Sequence, residues 1–162
     1  MIIRPAAAAD IEPILGIFNA AIRTSTAIWR DAEVDYADRE RWLDDHRRTG
    51  DTVLVAEVDG VVAGYASFSQ WRGLVGFRFS VENSIYIAEG FQGQGIGRAL
   101  MTELIGRARA AGKHLMIADI TGGNTASIRL HESLGFEPAG VIREVGTKFG
   151  EWLDLVILQL RL

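Results

Sequence analysis

Cysteine is absent from this chain of 162 residues, and histidine, proline and lysine are scarce. Without cysteine, the chain has no disulfides, no thiol nucleophile and no cysteine metal site. The three histidines, His46, His114 and His131, lack the short spacing that is typical of metal ligands, so we expect no metal.

Positive charge and long apolar runs are lacking too. A formal net charge of −4 leaves no basic surplus for a nucleic-acid backbone, so we expect no nucleic-acid partner. No apolar run approaches the ~20 residues of a membrane span, and we expect no membrane partner. The opening MIIRPAAAADIE has no basic start followed by a long apolar run, so we expect no signal peptide and a cytoplasmic protein. With 48% apolar residues, the sequence favours a single domain over residues 1–162.

Hydrophobic spacing predicts eleven elements in the order β-α-α-β-β-β-α-β-α-β-β, an α/β (α+β) fold with a mixed sheet and helices on both faces. Asp10 is the predicted N-cap of the first helix, and Asp59-Gly60 predicts a hairpin turn. Residues 71–79 read as a loop. The predicted strands cover 2–5, two patterns within 52–71, 81–88, 114–120, 136–147 and 152–161; the later helices cover 37–48, 95–111 and 125–134.

The strand VENSIYIA alternates between two sets of side chains, which is typical of a strand with two different faces. One face carries Val81, Asn83, Ile85 and Ile87, and the other carries Glu82, Ser84, Tyr86 and Ala88.

A glycine-rich segment, GFQGQGIGR, joins this strand to the next helix. Gly93, Gly95 and Gly97 do not fit the G-x-G-x-x-G of dinucleotide loops, and the lysine and hydroxyl of a P-loop are missing. What remains is Q-x-x-G-x-G before a helix, where an anion can reach free backbone N–H groups and Arg98 adds positive charge. The alternative is a turn that only reverses the chain.

The order strand, Q-x-x-G-x-G, helix, strand and NTASIRLHESLGF (124–136) resembles the GNAT superfamily of N-acyltransferases. The segments TAIWRD, GYASFSQWR, GFR, VENSIYI and VGTKFGEWLDL are similar to the branch that acetylates phosphinothricin, methionine sulfoximine and related free amino acids. The resemblance covers nearly the whole chain. It implies the GNAT fold, acetyl-CoA as co-substrate without a metal, a small amino-acid-like acceptor acetylated on its α-amine, and a homodimer.

The same resemblance implies the residues that bind the co-substrate. A backbone N–H near Ile85 to Ile87 would stabilise the carbonyl oxygen, and neighbouring peptide groups would pair with the pantetheine arm. Asn124 is a pantetheine contact and a candidate helix N-cap, and Ser133 is a further CoA contact. The full set comprises Ile85, Tyr86, Ile87, Gln92, Gly93, Gln94, Gly95, Ile96, Gly97, Arg98, Asn124 and Ser133.

Glu82 is the candidate general base, because α-amino groups titrate near ~8 and stay mostly charged at neutral pH. The alternative is a solvated carboxylate at a strand end. The branch usually has His after this Glu, whereas this chain has Asn83, so we expect no Glu-His relay here. His131 stands where most of the superfamily has Tyr; it is either the acid that protonates the leaving thiolate or an ordinary helix residue.

Arginine suits the carboxylate of a free amino acid, and Arg72 is the first candidate with Arg78 second. The expected acceptor site comprises Arg72, Gly73, Leu74, Arg78, Glu82, Asn83 and Ser84. Thr147, Lys148, Phe149 and Trp152 either wall the pocket or support a dimer interface. Trp29 and Trp71 are pocket aromatics or core residues.

Two other functions stay open at this point. One is a GNAT enzyme for a different acceptor, such as a polyamine, an aminoglycoside or a protein N-terminus, although two candidate arginines argue against polycations. The other is a CoA-binding sensor without catalysis.

Overall fold

The computed structural model describes all 162 residues, and its element order is the one that the sequence predicts. The strands are β1 (Ile2–Pro5), β2 (Val53–Val58), β3 (Val61–Gln70), β4 (Ser80–Ile87), β5 (Leu115–Thr121), β6 (Glu137–Lys148) and β7 (Glu151–Arg161). The helices are α1 (Ile11–Thr24), α2 (Tyr36–Thr49), α3 (Ile96–Ala110) and α4 (Thr125–Glu132). Short 3₁₀ turns lie at Ala8–Asp10 and Val75–Phe77, the second inside the predicted loop 71–79.

All seven strands belong to one sheet in the order β1-β2-β3-β4-β5-β7-β6. Only β4 and β5 run parallel, and every other neighbouring pair is antiparallel. The predicted mixed sheet is therefore confirmed. Asp59 and Gly60 both have positive φ, as expected for the two-residue hairpin between β2 and β3.

Helices cover both faces of the sheet, as predicted. On one face α3 packs over a cluster of 17 buried apolar residues that includes Leu100, Leu104 and Met116. On the other face α1 contributes Ile14 and Ile22 to a smaller cluster, which α2 borders. No helix is both long enough and apolar enough to cross a membrane.

The predicted two faces of β4 are confirmed. Val81, Ile85 and Ile87 contact the larger cluster, whereas Tyr86 contacts the smaller one. Successive residues of this strand therefore serve different sides of the sheet.

Strands β4 and β5 separate at the centre of the sheet. Their parallel pairing covers only Ser80–Glu82 against Leu115–Ile117. Beyond it, β4 stays paired to β3 as far as Ile87, and β5 stays paired to β7 as far as Thr121. The carboxyl halves of β4 and β5 thus leave an opening in an otherwise continuous sheet.

Asp10 precedes α1 as predicted, but its side chain does not cap that helix. It accepts hydrogen bonds from the Ala7 N–H at 2.7 Å and from Arg4 at 2.7 and 2.9 Å. Arg4 holds the pKa of Asp10 below its usual value. The buried carboxylate therefore ties the 3₁₀ turn to β1, a contact that local spacing did not indicate.

Candidate active site

A cavity of about 140 Å³ lies where β4 and β5 separate. Its walls come from both strands, from Ala27 in the loop between α1 and α2, and from the start of α4. The structure brings together here seven predicted site residues: Glu82, Asn83, Ser84, Ile85, Tyr86, Asn124 and His131. Ile87 lies outside the cavity and packs against the larger apolar cluster.

Glu82 is the last residue of β4 in register with β5, opposite Ile117. Its side chain is half-buried at the cavity wall. Burial and the charge of the nearby Asp119 carboxylate raise the pKa of Glu82 to about 7, and the Arg72 guanidinium opposes this rise. A carboxyl group with this pKa exchanges protons near neutral pH, as a general base must.

Asp119 is a cavity residue that sequence reasoning missed. It lies on β5 between Ala118 and Ile120, which are buried in the larger cluster on the other face of the sheet. A single polar residue in an apolar strand pattern was the available signal. Without the pairing of β4 with β5, however, that signal does not connect Asp119 to Glu82.

Asn83 points to the opposite face from Glu82 and is 6% exposed. Its Nδ2 donates to the Ile117 carbonyl at 2.9 Å, which orients the amide, and its Oδ1 lies 3.0 Å from Nε2 of His131. Both ends of the Asn83 amide are thus engaged inside the protein. This geometry fits a role in holding His131 better than direct contact with an acceptor.

His131 is 1% exposed, and both of its ring nitrogens face protein oxygens. Besides the Asn83 contact, Nδ1 lies 2.8 Å from the Ser127 carbonyl. A neutral imidazole has one N–H and cannot donate to both oxygens. Burial lowers the pKa of His131, while the Ser127 carbonyl opposes that shift. To protonate a leaving thiolate, His131 would first have to break one of these hydrogen bonds.

The glycine-rich loop has the conformation that an anion site needs. Gly93 and Gly95 have φ of 75° and 79°, and nothing lies within 4 Å of the position of an added Cβ at either residue. Gly95 is the N-cap of α3, so the first N–H groups of the helix lie beside this open space. The Gln92 and Gln94 side chains bond to the backbone of Gly90 and brace the loop. The open backbone at Gly93 and Gly95, together with the start of α3, therefore fits a pyrophosphate group.

Gly97 and Arg98 serve the packing of α3 against α4. A Cβ on Gly97 would lie 3.2 Å from Leu130, so this glycine permits close helix approach. Arg98 donates to the Ser133 hydroxyl at 2.8 Å, which joins the two helices at their exposed edge. Asn124 accepts from the Ser127 N–H at 3.1 Å, which confirms the predicted N-cap of α4.

Of the two candidate arginines, only Arg72 affects the pKa of Glu82. Its exposed guanidinium lies 4.7 Å from the Trp71 ring centroid, and its charge lowers the pKa of Glu82. Arg78 instead donates to the Val75 carbonyl at 3.1 Å and lies over Phe79. Gly73 and Leu74 are exposed in the same loop.

Lys148 secures the loop that reaches the cavity at Ala27. It is 2% exposed, and its Nζ donates to the carbonyls of Ile22 at 2.7 Å and Ile28 at 2.6 Å. In the same loop, Trp29 donates to the Thr121 hydroxyl at 2.9 Å. The Trp29 ring also lies directly on Gly146, where no side chain would fit. The end of β6 therefore positions one wall of the cavity.

The hairpin of β6 and β7 carries large apolar side chains on its surface. Phe149 is 60% exposed and Trp152 is 69% exposed, and Val141, Ile142 and Val145 are about half exposed. Trp152 and Val141 also line a second, shallower cavity of about 450 Å³. These residues do not wall the cleft between β4 and β5.

Comparisons with known proteins agree with this geometry. Residues 14–136 match the family model described as Acetyltransferase (GNAT) family. An L-methionine sulfoximine/L-methionine sulfone acetyltransferase from Salmonella typhimurium is 49% identical over 162 residues, which cover 100% of this chain and 95% of the relative. The solved structure of yncA from Salmonella typhimurium, with its cofactor acetyl-CoA, has a TM-score of 0.98 at 48% identity over 99% of this chain and 93% of that chain. A ribosomal-protein-alanine N-acetyltransferase from Brucella melitensis has a TM-score of 0.99 at 48% identity over the whole of both chains.

Proposed function

Because this chain belongs to the GNAT acetyltransferase family, we propose that it acetylates the α-amine of a free amino acid or analogue of the methionine sulfoximine or sulfone type. The observation that carries the proposal is the position and the raised pKa of Glu82. This carboxyl group has a pKa of about 7 and lies in a cavity that opens beside the strand leading to an anion-binding loop. The Salmonella relative, 49% identical over the full chain, supplies the acceptor class.

Acetyl-CoA is the co-substrate of the family and supplies an activated acetyl group. In this chain the open backbone at Gly93 and Gly95 and the start of α3 would hold its pyrophosphate. The strand edge of β4 that β5 leaves unpaired would bind the pantetheine arm and offer a backbone N–H to the carbonyl oxygen. Asn124 lies at the far wall of the same cavity.

Glu82 would take a proton from the acceptor's ammonium. The amine nitrogen then forms the new C–N bond to the acetyl carbon as the C–S bond breaks, and CoA leaves as the thiol with a second proton from that nitrogen. A base with a pKa near 7 is well matched to an amine that titrates near ~8. Asn83 and His131 form a buried hydrogen-bonded pair behind this strand, and we assign to them the positioning of β4 against α4.

Arg72 would bind the carboxylate of the amino acid. It lies in the loop before β4, is exposed, and is close enough to Glu82 to lower its pKa. An α-amino acid carries its ammonium and its carboxylate on the same carbon, so a base with an arginine nearby matches both groups.

We also propose a homodimer in the cytoplasm. The exposed apolar side chains of β6, β7 and their turn, defined here as the hairpin patch, comprise Val141, Ile142, Val145, Phe149 and Trp152. Large apolar side chains exposed in this number favour a protein interface, and β6 is an edge strand of the sheet.

The test is amine-dependent release of CoA, followed with a thiol-detecting reagent over a panel of free amino acids, their amides, diamines and an alanine-starting peptide. We expect release with amino acids, fastest with methionine sulfoximine or sulfone, and an acetylated α-amine in the product. The peptide represents the acceptor named for the Brucella structure. Preference for the peptide would replace the proposed acceptor, and acetyl-CoA binding without amine-dependent release would indicate a sensor.

A further inference from the structure

A second carboxylate, that of Asp119, lies in the cavity beside Glu82. Asp119 is two residues past Ile117, the partner of Glu82 in the parallel register. Residues two apart on a strand point to the same face, so both carboxylates stand on one face of the sheet. Asp119 lies about 7 Å further along β5, at the point where the strands have separated.

The Asp119 carboxylate has no protein partner. Its backbone pairs with Ile157 of β7, which leaves the side chain directed to the cavity. Oδ1 is sealed from solvent and accepts no hydrogen bond within the protein. An unpaired buried carboxylate oxygen destabilises a fold, so its presence calls for a functional explanation.

The charges around this carboxylate favour a cation. Glu82 and Asp119 are the only carboxylates that line the cavity, and no lysine or arginine lines it. The other titratable lining groups are Tyr86 on β4 and His131 on α4. Arg72, in the loop before β4, is the cation that acts on Glu82.

We propose that Asp119 is a second binding carboxylate for the primary ammonium of the acceptor, which it holds against Glu82. The inference rests on the proposed function of the cleft and names a further substrate-binding residue for it. An ammonium has three N–H donors. One proton passes to Glu82, Asp119 holds another N–H, and the nitrogen lone pair forms the C–N bond as the C–S bond breaks. The thiolate leaves with the second proton of the nitrogen.

Asp119 also affects the strength of the base. Burial is the largest cause of the raised pKa of Glu82, and the charge of Asp119 is the second largest. Removing that charge lowers the pKa of Glu82, so the acidic limb of the rate profile moves to lower pH. The acidic limb reports the charge that Asp119 places beside Glu82, whereas the KM for the amino acid reports its contact with the ammonium.

The test is Asp119→Asn, with Asp45→Asn on the exposed face of α2 as the control that removes the same charge elsewhere. We expect the KM for the amino acid to rise about 10–100-fold, as for the loss of a charge-assisted hydrogen bond. The KM for acetyl-CoA should stay unchanged, and the acidic limb of kcat/KM should shift to lower pH. Asp119→Glu should restore the limb, because it restores the charge.

Thermal unfolding checks the fold of each variant. The Asn variant should melt no lower than the parent, since the carboxylate that it replaces has no partner. If Asp119→Asn does not fold, the smaller substitution Asp119→Ser replaces it. The KM for the amino acid and the acidic limb of kcat/KM are then measured on that variant. An active parent whose Asp119 variants keep the acceptor KM would overturn this inference alone, whether or not the acidic limb moves. A parent that releases no CoA with any amine would overturn the proposed function as well.

Discussion

Glu82 and Asn83 are neighbours in the chain, but their side chains lie on opposite faces of β4. Glu82 faces the cavity and is half-buried. Asn83 is buried and holds the His131 ring at 3.0 Å. Successive side chains of a strand point to opposite faces. Glu82 can therefore exchange a proton in the cavity, while Asn83 stabilises the structure behind the strand.

Removing the Arg72 guanidinium should affect only acceptors that carry a carboxylate. We expect Arg72→Ala to raise the KM for free amino acids about 10–100-fold, because an ion pair with the carboxylate is lost. Their amides and carboxyl-free amines should be spared. Steady-state kinetics on matched pairs of acid and amide measures this, with Arg48→Ala on α2 as the control. Equal losses for acid and amide would assign Arg72 a structural role, and selective loss in Arg78→Ala would move the site to that residue.

Replacing His131 should affect stability more than catalysis. The buried ring donates one hydrogen bond to the Asn83 or Ser127 oxygen and packs against Phe136, and His131→Gln should lose both contacts. We expect a loss of about 1–3 kcal/mol in the free energy of unfolding, with kcat/KM within about tenfold of the parent. Denaturant unfolding and initial rates on the same samples measure both quantities. A loss of about 10²-fold or more in kcat with stability intact would instead identify His131 as the acid.

At the scale of elements, the separation of β4 from β5 and the glycine loop after β4 create the site. The pairing of these strands stops after Glu82, and the loop brings the start of α3 to the end of β4. Lys148 adds the third wall by holding the loop after α1 through two carbonyls. Each wall depends on where one element ends and the next begins.

Element order, the two faces of β4 and the glycine-rich turn before α3 could be predicted because their signals are local. The alternation of residues 81–88 and the Q-x-x-G-x-G spacing require no knowledge of distant contacts. Asp119 and Lys148 could not be placed in this way. The first depends on the register of β5 against β4, and the second donates to carbonyls 126 and 120 residues away. Asp10 looked like an N-cap, but the nearby Arg4 engaged its carboxylate instead.

A side chain in the glycine loop should weaken the binding of acetyl-CoA. At Gly95 the φ of 79° disfavours any other residue, and the added atoms would enter the open space beside the start of α3. We expect Gly95→Val to raise the KM for acetyl-CoA at least tenfold, with little change in the KM for the amino acid. Gly106→Ala, in the middle of α3 with open space around it, is the matched control. Unchanged acetyl-CoA affinity in a folded Gly95 variant would refute the pyrophosphate site.

At the scale of the whole molecule, apolar surface is unevenly distributed. The hairpin patch lies on the edge strand β6, which ends with Lys148, on β7 and on the turn between them. A dimer through this patch would cover the edge strand β6. The end of this strand also holds the loop after α1, through Lys148 and through the contact of Gly146 with Trp29. Assembly and the shape of the cleft would then be linked through Lys148.

Charging the hairpin patch should prevent the proposed dimer from forming. We expect the parent to have the mass of two chains at micromolar concentration and Ile142→Arg to have the mass of one, because burying an unpaired charge is costly. Sedimentation equilibrium measures both. Val61→Arg, at an equally exposed apolar residue near the hairpin of β2 and β3, should remain dimeric. A parent that is monomeric at all concentrations, or an equal effect of both substitutions, would place the interface elsewhere or remove it.

We infer that Glu82 removes the proton of the acceptor's amine in this cleft, and the pH dependence of kcat/KM for Glu82→Gln beside the parent tests this role. In the parent, kcat/KM should rise as pH passes about 7, since Glu82 is a base only when ionised. The Gln variant should be slower by about 10²–10⁴-fold at neutral pH, should lack that inflection, and should recover only as the amine itself loses its proton near ~8. Its KM for acetyl-CoA should match that of the parent. A Gln variant that keeps the parent's acidic limb and nearly full kcat/KM would remove Glu82 from the reaction.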